Sequence, residues 1–190
     1  MGLDYTDGCV NFRDLGAFLN LIAEREVLPE QIIYRGGSID YVKEWEEIGH
    51  AQSVISLRNG PDPQAFDADY YHFPMANKVE KYDTSQKVVR RWLNEVLQPF
   101  ENPDLRYPVL VHCLSGKDRT GIVIAALQLI MGVDRELIIE EYLLSDGDVK
   151  TEWITMAMDG IGSPEAYFDR VDVSVIRQNL QQAQPSQALK

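Results

Sequence analysis

Two hydrophobic periods succeed one another along this chain, and their order predicts an α/β domain. Gln31 to Arg35 (Q-I-I-Y-R) reads as a short strand that stops at the Gly36-Gly37 turn, and Ile39 to Gly49 as a helix with Tyr41, Val42, Trp45 and Ile48 on one face. Ser53 to Leu57 reads as a buried strand and Tyr70 to Phe73 as another, closed by Pro74. Thr84 to Leu97 carries Val88, Val89, Trp92, Leu93 and Val96 at helical spacing, with Thr84 or Ser85 as its N-cap and Pro99 beyond its end. Trp45 and Trp92 read as core anchors. Val109-Leu110-Val111 is a buried strand, and after a loop with Gly116 comes Gly121 to Met131, apolar nearly all round. That pattern predicts a buried helix whose N-terminus points back at the loop. Further helices are expected at Arg135 to Leu144 and Val173 to Gln182. The expected architecture is a central, mostly parallel sheet of about four or five strands with helices on both faces, its site at the carboxyl end of the Val109 to Val111 strand.

Composition narrows the function without naming it. The chain has 190 residues, 45% hydrophobic and 25% charged, which suits one globular domain over 1–190, with 181–190 a polar, flexible tail. A net charge of −12 argues against nucleic acid or an anionic membrane as the main partner. A small concave site can still be locally positive through backbone N–H groups and an arginine. Cys9 and Cys113 are the only cysteines, and His50, His72 and His112 show no metal-ligand spacing. No disulfide framework, metal or other cofactor is expected, and a reduced, cytoplasmic protein is the default. The longest apolar stretch, Gly121 to Val133, is too short to span a bilayer, and Met1 to Asp4 does not resemble a signal peptide. Met1 to Thr6 fits a loose N-terminal acylation pattern, for which chance is the plain explanation.

The chemistry lies in the loop His112-Cys113-Leu114-Ser115-Gly116-Lys117-Asp118-Arg119-Thr120-Gly121. A cysteine facing a helix N-terminus meets the positive end of the macrodipole and free N–H groups, which favour thiolate over thiol. The amides of Leu114 to Arg119 would hold a phosphoryl group. Arg119, six residues after the cysteine, would add a planar fork to two phosphate oxygens. Gly116 lets successive N–H groups converge, Thr120 is placed to donate its hydroxyl to the cysteine sulfur, and His112 should brace the loop. The reaction this specifies is in-line attack of the thiolate on phosphorus, followed by hydrolysis of the phosphocysteine. Lys117 projects from the rim, either as a solvated lysine or as a contact for a second phosphate or an acidic peptide. A Walker-type site is excluded, because Asp118 follows the lysine and Val111 stands where that motif needs a glycine.

The ten residues H-C-L-S-G-K-D-R-T-G resemble the H-C-x-x-G-x-x-R-[ST]-G signature of the cysteine-dependent protein tyrosine phosphatase superfamily, in the form used by its bacterial tyrosine/serine branch. Asn11-Phe12-Arg13-Asp14-Leu15-Gly16 is similar to that branch's N-F-R-D-L-G element, and Tyr34-Arg35-Gly36-Gly37-Ser38 to its Y-R-S-G segment. Val54-Ile55-Ser56-Leu57-Arg58 resembles its V-I-D-L-R strand, with Ser56 where aspartate is usual. The likeness runs from about Asn11 to Leu144. It implies a phosphotyrosine phosphatase II type fold and phosphotyrosine-type protein substrates, with dual specificity within reach. Phosphoinositides or soluble inositol phosphates are the alternative. The rival from another class is a non-catalytic phosphate-binding pseudophosphatase, disfavoured because Cys113 and Arg119 are both intact. A rhodanese-like sulfurtransferase is also disfavoured, since its shorter cysteine loop lacks the Arg-Thr-Gly exit.

In the implied mechanism a general acid protonates the leaving group, and in this branch it follows a Phe-Pro element. Here Met75-Ala76-Asn77 follows Phe73-Pro74, and no carboxylate appears before Glu80 and Asp83. Asp118, inside the loop, and Asp83, before the Thr84 helix, are the two candidates, with Asp118 favoured. Cys9 reads as a buried small hydrophobe, Arg13 and Asp14 as an ion pair bracing the N-terminal segment, and Arg58 as a structural strand-end residue.

Overall fold

The computed structural model describes residues 8–63, 66–78 and 80–185. The acylation pattern at Met1 to Thr6 and positions 186–190 of the expected tail lie outside them. A five-stranded sheet forms the centre, in the order β1 (Arg13–Asp14), β2 (Ile33–Gly36), β5 (Val109–His112), β3 (Ser53–Ser56), β4 (Asp69–His72). Only the β1–β2 pair is antiparallel; β2, β5, β3 and β4 run parallel. All four residues of β2, β5 and β3 are buried, as expected of central parallel strands, whereas the edge strand β4 is mostly exposed.

The pleat sorts β5 between two cores. Val109 and Val111 join the larger cluster, and Leu110, pointing to the other face, joins Tyr34, Ile39, Val42, Ile48 and Ala51 in the smaller one. The larger cluster receives α1 (Leu15–Ala23), α2 (Lys87–Leu97), α3 (Asp118–Ile130), α4 (Arg135–Leu143), α5 (Thr151–Ile161), α6 (Pro164–Tyr167) and α7 (Val173–Gln182). The smaller is covered by the segment around a 3-10 turn at Trp45–Ile48. Helix α3 lies in the middle, packed against β2, β5 and α4 to α7, which is why it is apolar on every side. Each of Ile122, Val123, Ile124, Leu127 and Ile130 is essentially solvent-free. Such side chains stabilise by about 1.5–3 kcal/mol apiece. β2, β3 and β5 stop at the same level, Gly36 and Ser56 both standing beside His112, so three chain segments emerge together at one edge.

Two expected elements differ. In place of a helix from Ile39 to Gly49 there is only the 3-10 turn, because Glu44 is extended, the Glu47 carboxylate accepts from the Lys43 and Glu44 amides, and Gly49 stops the turn at φ 63°. Val42 and Ile48 are buried, but Tyr41 is 80% exposed and leaves the face assigned to it. Helix α2 starts at Lys87 after Gln86, not at a Thr84 or Ser85 cap. The Thr84 hydroxyl donates instead to the Ala157 carbonyl on α5 (2.7 Å), and the Tyr167 hydroxyl donates to the Thr84 carbonyl (2.6 Å). Tertiary partners outbid the cap. Gln181 and Gln182 of the expected tail complete α7. Trp92 is buried and donates to the Phe73 carbonyl, while the half-buried Trp45 donates to that of Ala51.

Candidate active site

Between β5 and α3 the chain makes a tight loop, three of whose carbonyls are tied to distant segments while a fourth opens the hydrogen-bond ladder of α3. Leu114 O accepts from Ser38 N (2.9 Å), Ser115 O from Asn11 Nδ2 (2.8 Å), Gly116 O from Arg35 Nη2 (3.0 Å) and Lys117 O from Gly121 N (2.8 Å). With the carbonyls facing outward, the amides of Leu114 to Arg119 are left without an acceptor among the described residues. Unpaired amides at a helix start form an anion cradle. Gly116 permits the turn: its φ is +70°, and a Cβ there would sit 2.6 Å from Gly36 C and Gly37 N. Cys113, 3% exposed, stands at the base.

Arg119 is 9% exposed. Its Nη1 donates to the Leu57 carbonyl (3.3 Å) and its Nη2 to Asn77 Oδ1, which also accepts from Asn59 Nδ2. The buried Nε has no partner among the described residues. One side of the guanidinium is thus clamped and a buried N–H remains for an oxyanion, an orphan that would otherwise be costly.

The N-F-R-D-L-G segment braces the loop from behind. Asn11 donates to the Ser115 carbonyl and accepts from Asp146 N (2.7 Å). Arg13 does not pair with Asp14: it binds Glu141 of α4, as does Arg35, with N–O distances of 2.7 and 2.6 Å and all three side chains buried. Asp14 instead caps α1, accepting from Gly16 N (3.0 Å) and Ala17 N, and takes the Gln31 amide (2.7 Å). Burial would raise the Glu141 carboxyl, but the two guanidinium groups outweigh it and hold it below the ordinary value. Two arginines against one glutamate leave a net positive charge under the loop.

His112 is buried, its Nε2 2.9 Å from Asp62 Oδ2 and its Nδ1 3.1 Å from the Gly37 carbonyl. Burial pushes the Asp62 carboxyl up, and hydrogen bonding to His112 together with Arg58 brings it below its usual range. Arg58 bridges Asp40 and Asp62 at the strand end.

Other sequence-singled residues are distributed around this cradle. The Thr120 hydroxyl donates to the Gly36 carbonyl (3.4 Å) and not to the Cys113 sulfur. Lys117 Nζ donates to the Asp148 carbonyl (3.1 Å), which folds it along the 147–148 turn. Asp118 Oδ1 accepts from the Tyr82 hydroxyl (2.8 Å). Asp83 is turned to the start of α2, where Ser85 Oγ and Gln86 Nε2 donate to it. Burial pushes the Cys9 thiol up to about 12, and its Sγ donates to the Gly37 carbonyl (3.5 Å). Sequence reasoning missed Asn77, Asp62, Glu141 and Tyr82. Asn77 alone had a local signal, three residues after Pro74.

Comparisons with known proteins follow from this geometry. A family model described as tyrosine phosphatase family matches residues 5–184. Triple specificity protein phosphatase PtpB of Mycobacterium tuberculosis (strain ATCC 25618 / H37Rv) is 50% identical over 42 residues, which are 22% of this chain and only 15% of that relative. Among solved structures, the core catalytic domain of the PP-IP phosphatase SIW14 from S. cerevisiae aligns with a TM-score of 0.51 at 18% identity, covering 77% of this chain and 95% of that one. DUSP15 aligns with a TM-score of 0.50, also at 18% identity, covering 85% and 97%. At such identities the structural likeness concerns the fold.

Proposed function

Because this chain belongs to the tyrosine phosphatase family, we propose that it hydrolyses phosphomonoesters through a cysteinyl-phosphate on Cys113, with phosphotyrosine-type protein substrates. The carrying observation is the loop itself: three carbonyls tied outward to distant segments and, among the described residues, six amides without acceptors and a buried Arg119 Nε without a partner. The Cys113 sulfur forms a bond to phosphorus as the bond to the leaving oxygen breaks. The amides of Leu114 to Arg119 and the Arg119 guanidinium take the equatorial oxygens. Asp118 gives its proton to the departing oxygen, then accepts one from the water that cleaves the phosphocysteine, which frees phosphate and restores the thiolate. Asp83 is the weaker acid candidate, being engaged at the helix start.

Two features support an apolar, aromatic leaving group. Leu114 is 63% exposed and Val10 47% exposed, and their carbonyls accept from the consecutive amides of Ser38 and Gly37, which sets them side by side at the loop. Lys117, the residue suited to a second phosphate, is turned along the 147–148 turn by a hydrogen bond to the Asp148 carbonyl. Reliance on a free thiol fits work in a reducing compartment, the cytoplasm.

The test is a panel of phosphotyrosyl and phosphoseryl peptides, phosphoinositides and soluble inositol phosphates, run with wild type and Cys113→Ser. Turnover of phosphotyrosyl peptides, abolished in the variant, is expected. Preference for inositol phosphates, lost on neutralising Lys117, would reassign the substrate. Release of one phosphate per chain without turnover would make the protein a phosphate-binding module.

A further inference from the structure

We propose that Tyr82 is a positioning residue that orients Asp118 for proton transfer, through a directed pair of hydrogen bonds from Tyr142 to Tyr82 and from Tyr82 to Asp118. The inference rests on the reading of Asp118 as general acid and adds to it. The Tyr82 hydroxyl oxygen lies 2.8 Å from Asp118 Oδ1 and 2.6 Å from the Tyr142 hydroxyl. Both tyrosines are buried, and the Tyr82 ring is held by an edge contact with Tyr142 (centroids 6.4 Å apart) and by Trp153 (5.6 Å). Tyr82 therefore has one location and little rotamer freedom, whereas the partly exposed Asp118 stands in the first turn of α3 next to Arg119.

With Asp118 ionised, as it stands before it takes up a proton, the proton count fixes the direction. A phenol has one hydrogen, and an ionised carboxylate only accepts. Burial, with Tyr142 and Asp118 close by, pushes the Tyr82 phenol far above its ordinary value, so it remains a donor. Its hydrogen goes to Asp118, and the 2.6 Å contact with Tyr142 must then be filled by the Tyr142 hydrogen. Every hydroxyl hydrogen is used. With Oδ1 occupied as an acceptor, the proton that Asp118 carries when neutral resides on Oδ2. Oδ2 accepts no hydrogen bond from the described residues and is the oxygen left for the leaving group. In the forward step the Oδ2 proton moves to the departing oxygen as the sulfur–phosphorus bond forms. In the return step water gives its proton back to Oδ2. Tyr82 and Tyr142 keep theirs throughout.

Leaving-group dependence separates this role from a structural one. Tyr82→Phe keeps the ring packing and removes only the donor. The assay measures kcat/KM on an alkyl phosphate and on an activated aryl phosphate, together with the inhibition constant of inorganic phosphate, which reads the cradle. Expected is a loss of roughly tenfold on the alkyl ester, the size of one charge-assisted hydrogen bond, with less than about twofold change on the activated ester and in phosphate inhibition. Asp118→Asn should lose roughly a hundredfold or more on the alkyl ester alone, and Asp118→Asn with Tyr82→Phe should be no worse than Asp118→Asn. If Asp118→Asn falls equally on both esters, the general-acid reading is wrong. If it is selective but Tyr82→Phe falls equally on both, or the two losses multiply in the double variant, Tyr82 does not act through Asp118 and this inference is overturned.

Discussion

Replacing Glu141 by glutamine tests the brace beneath the loop most directly. The substitution preserves shape and removes one negative charge between Arg13 and Arg35, whose side chains are 3% and 0% exposed. Breaking a buried ion pair from one side leaves uncompensated charge and costs about 3–5 kcal/mol. Against a total stability of about 5–15 kcal/mol the fold should survive, weakened. With a urea dependence of about 2.5 kcal/mol/M for a domain of this size, the unfolding midpoint should fall by about 1–2 M. A pH series adds a signed check. The Glu141 carboxyl is depressed from its ordinary 4.5 in the folded protein, so its contribution is complete above 4.5 and disappears as pH falls through the folded value. Glu141→Gln should therefore show a flatter loss of stability than wild type below pH 4.5. Since Arg35 also holds the Gly116 carbonyl, phosphate affinity should weaken in parallel. A midpoint shift below about 0.3 M, or an unchanged acid limb, would refute the claim that this triad carries the loop.

Other expectations concern single contacts. Gly116→Ala places a Cβ against Gly36 and Gly37 at a positive φ, so phosphate binding, followed by protection of Cys113 from alkylation, should be lost even where circular dichroism reports a folded protein. Asn77→Ala releases one side of the Arg119 guanidinium and should weaken phosphate inhibition and kcat/KM by roughly tenfold, with the unfolding midpoint little changed. The Cys9 thiol, raised from an ordinary 9.0 to about 12, is protonated at pH 8, so mass spectrometry after iodoacetamide should find one adduct in native wild type and none in Cys113→Ser; a native adduct on Cys9 contradicts its burial.

Much of the architecture was legible from short-range pattern. β5, the loop and α3 follow from an apolar run, a glycine and a helix apolar all round, and α7 begins and ends at the expected Val173 and Gln182. What escaped was decided by distant partners. Thr84 reads locally as a cap, yet a carbonyl 73 residues away takes its hydroxyl. Arg13 reads locally as a partner for Asp14, yet its carboxylate lies 128 residues on, in α4. Tyr41 shares a helical period with Val42 and Ile48, but capping by Glu47 limits the helix to one 3-10 turn. The site divides the same way: the residues inside the loop could be read in order, and those that hold it are scattered from Asn11 to Glu141.

The outward tethering of the loop carbonyls has a consequence for how damage spreads. Asn11 and the Arg35–Ser38 segment are two stretches distant from the loop in sequence, so the anion cradle exists only while both are docked. Its amides lose their common orientation only when one of those two segments undocks. Catalytic competence should accordingly be lost together with the global fold on warming, and not in an earlier, separate transition.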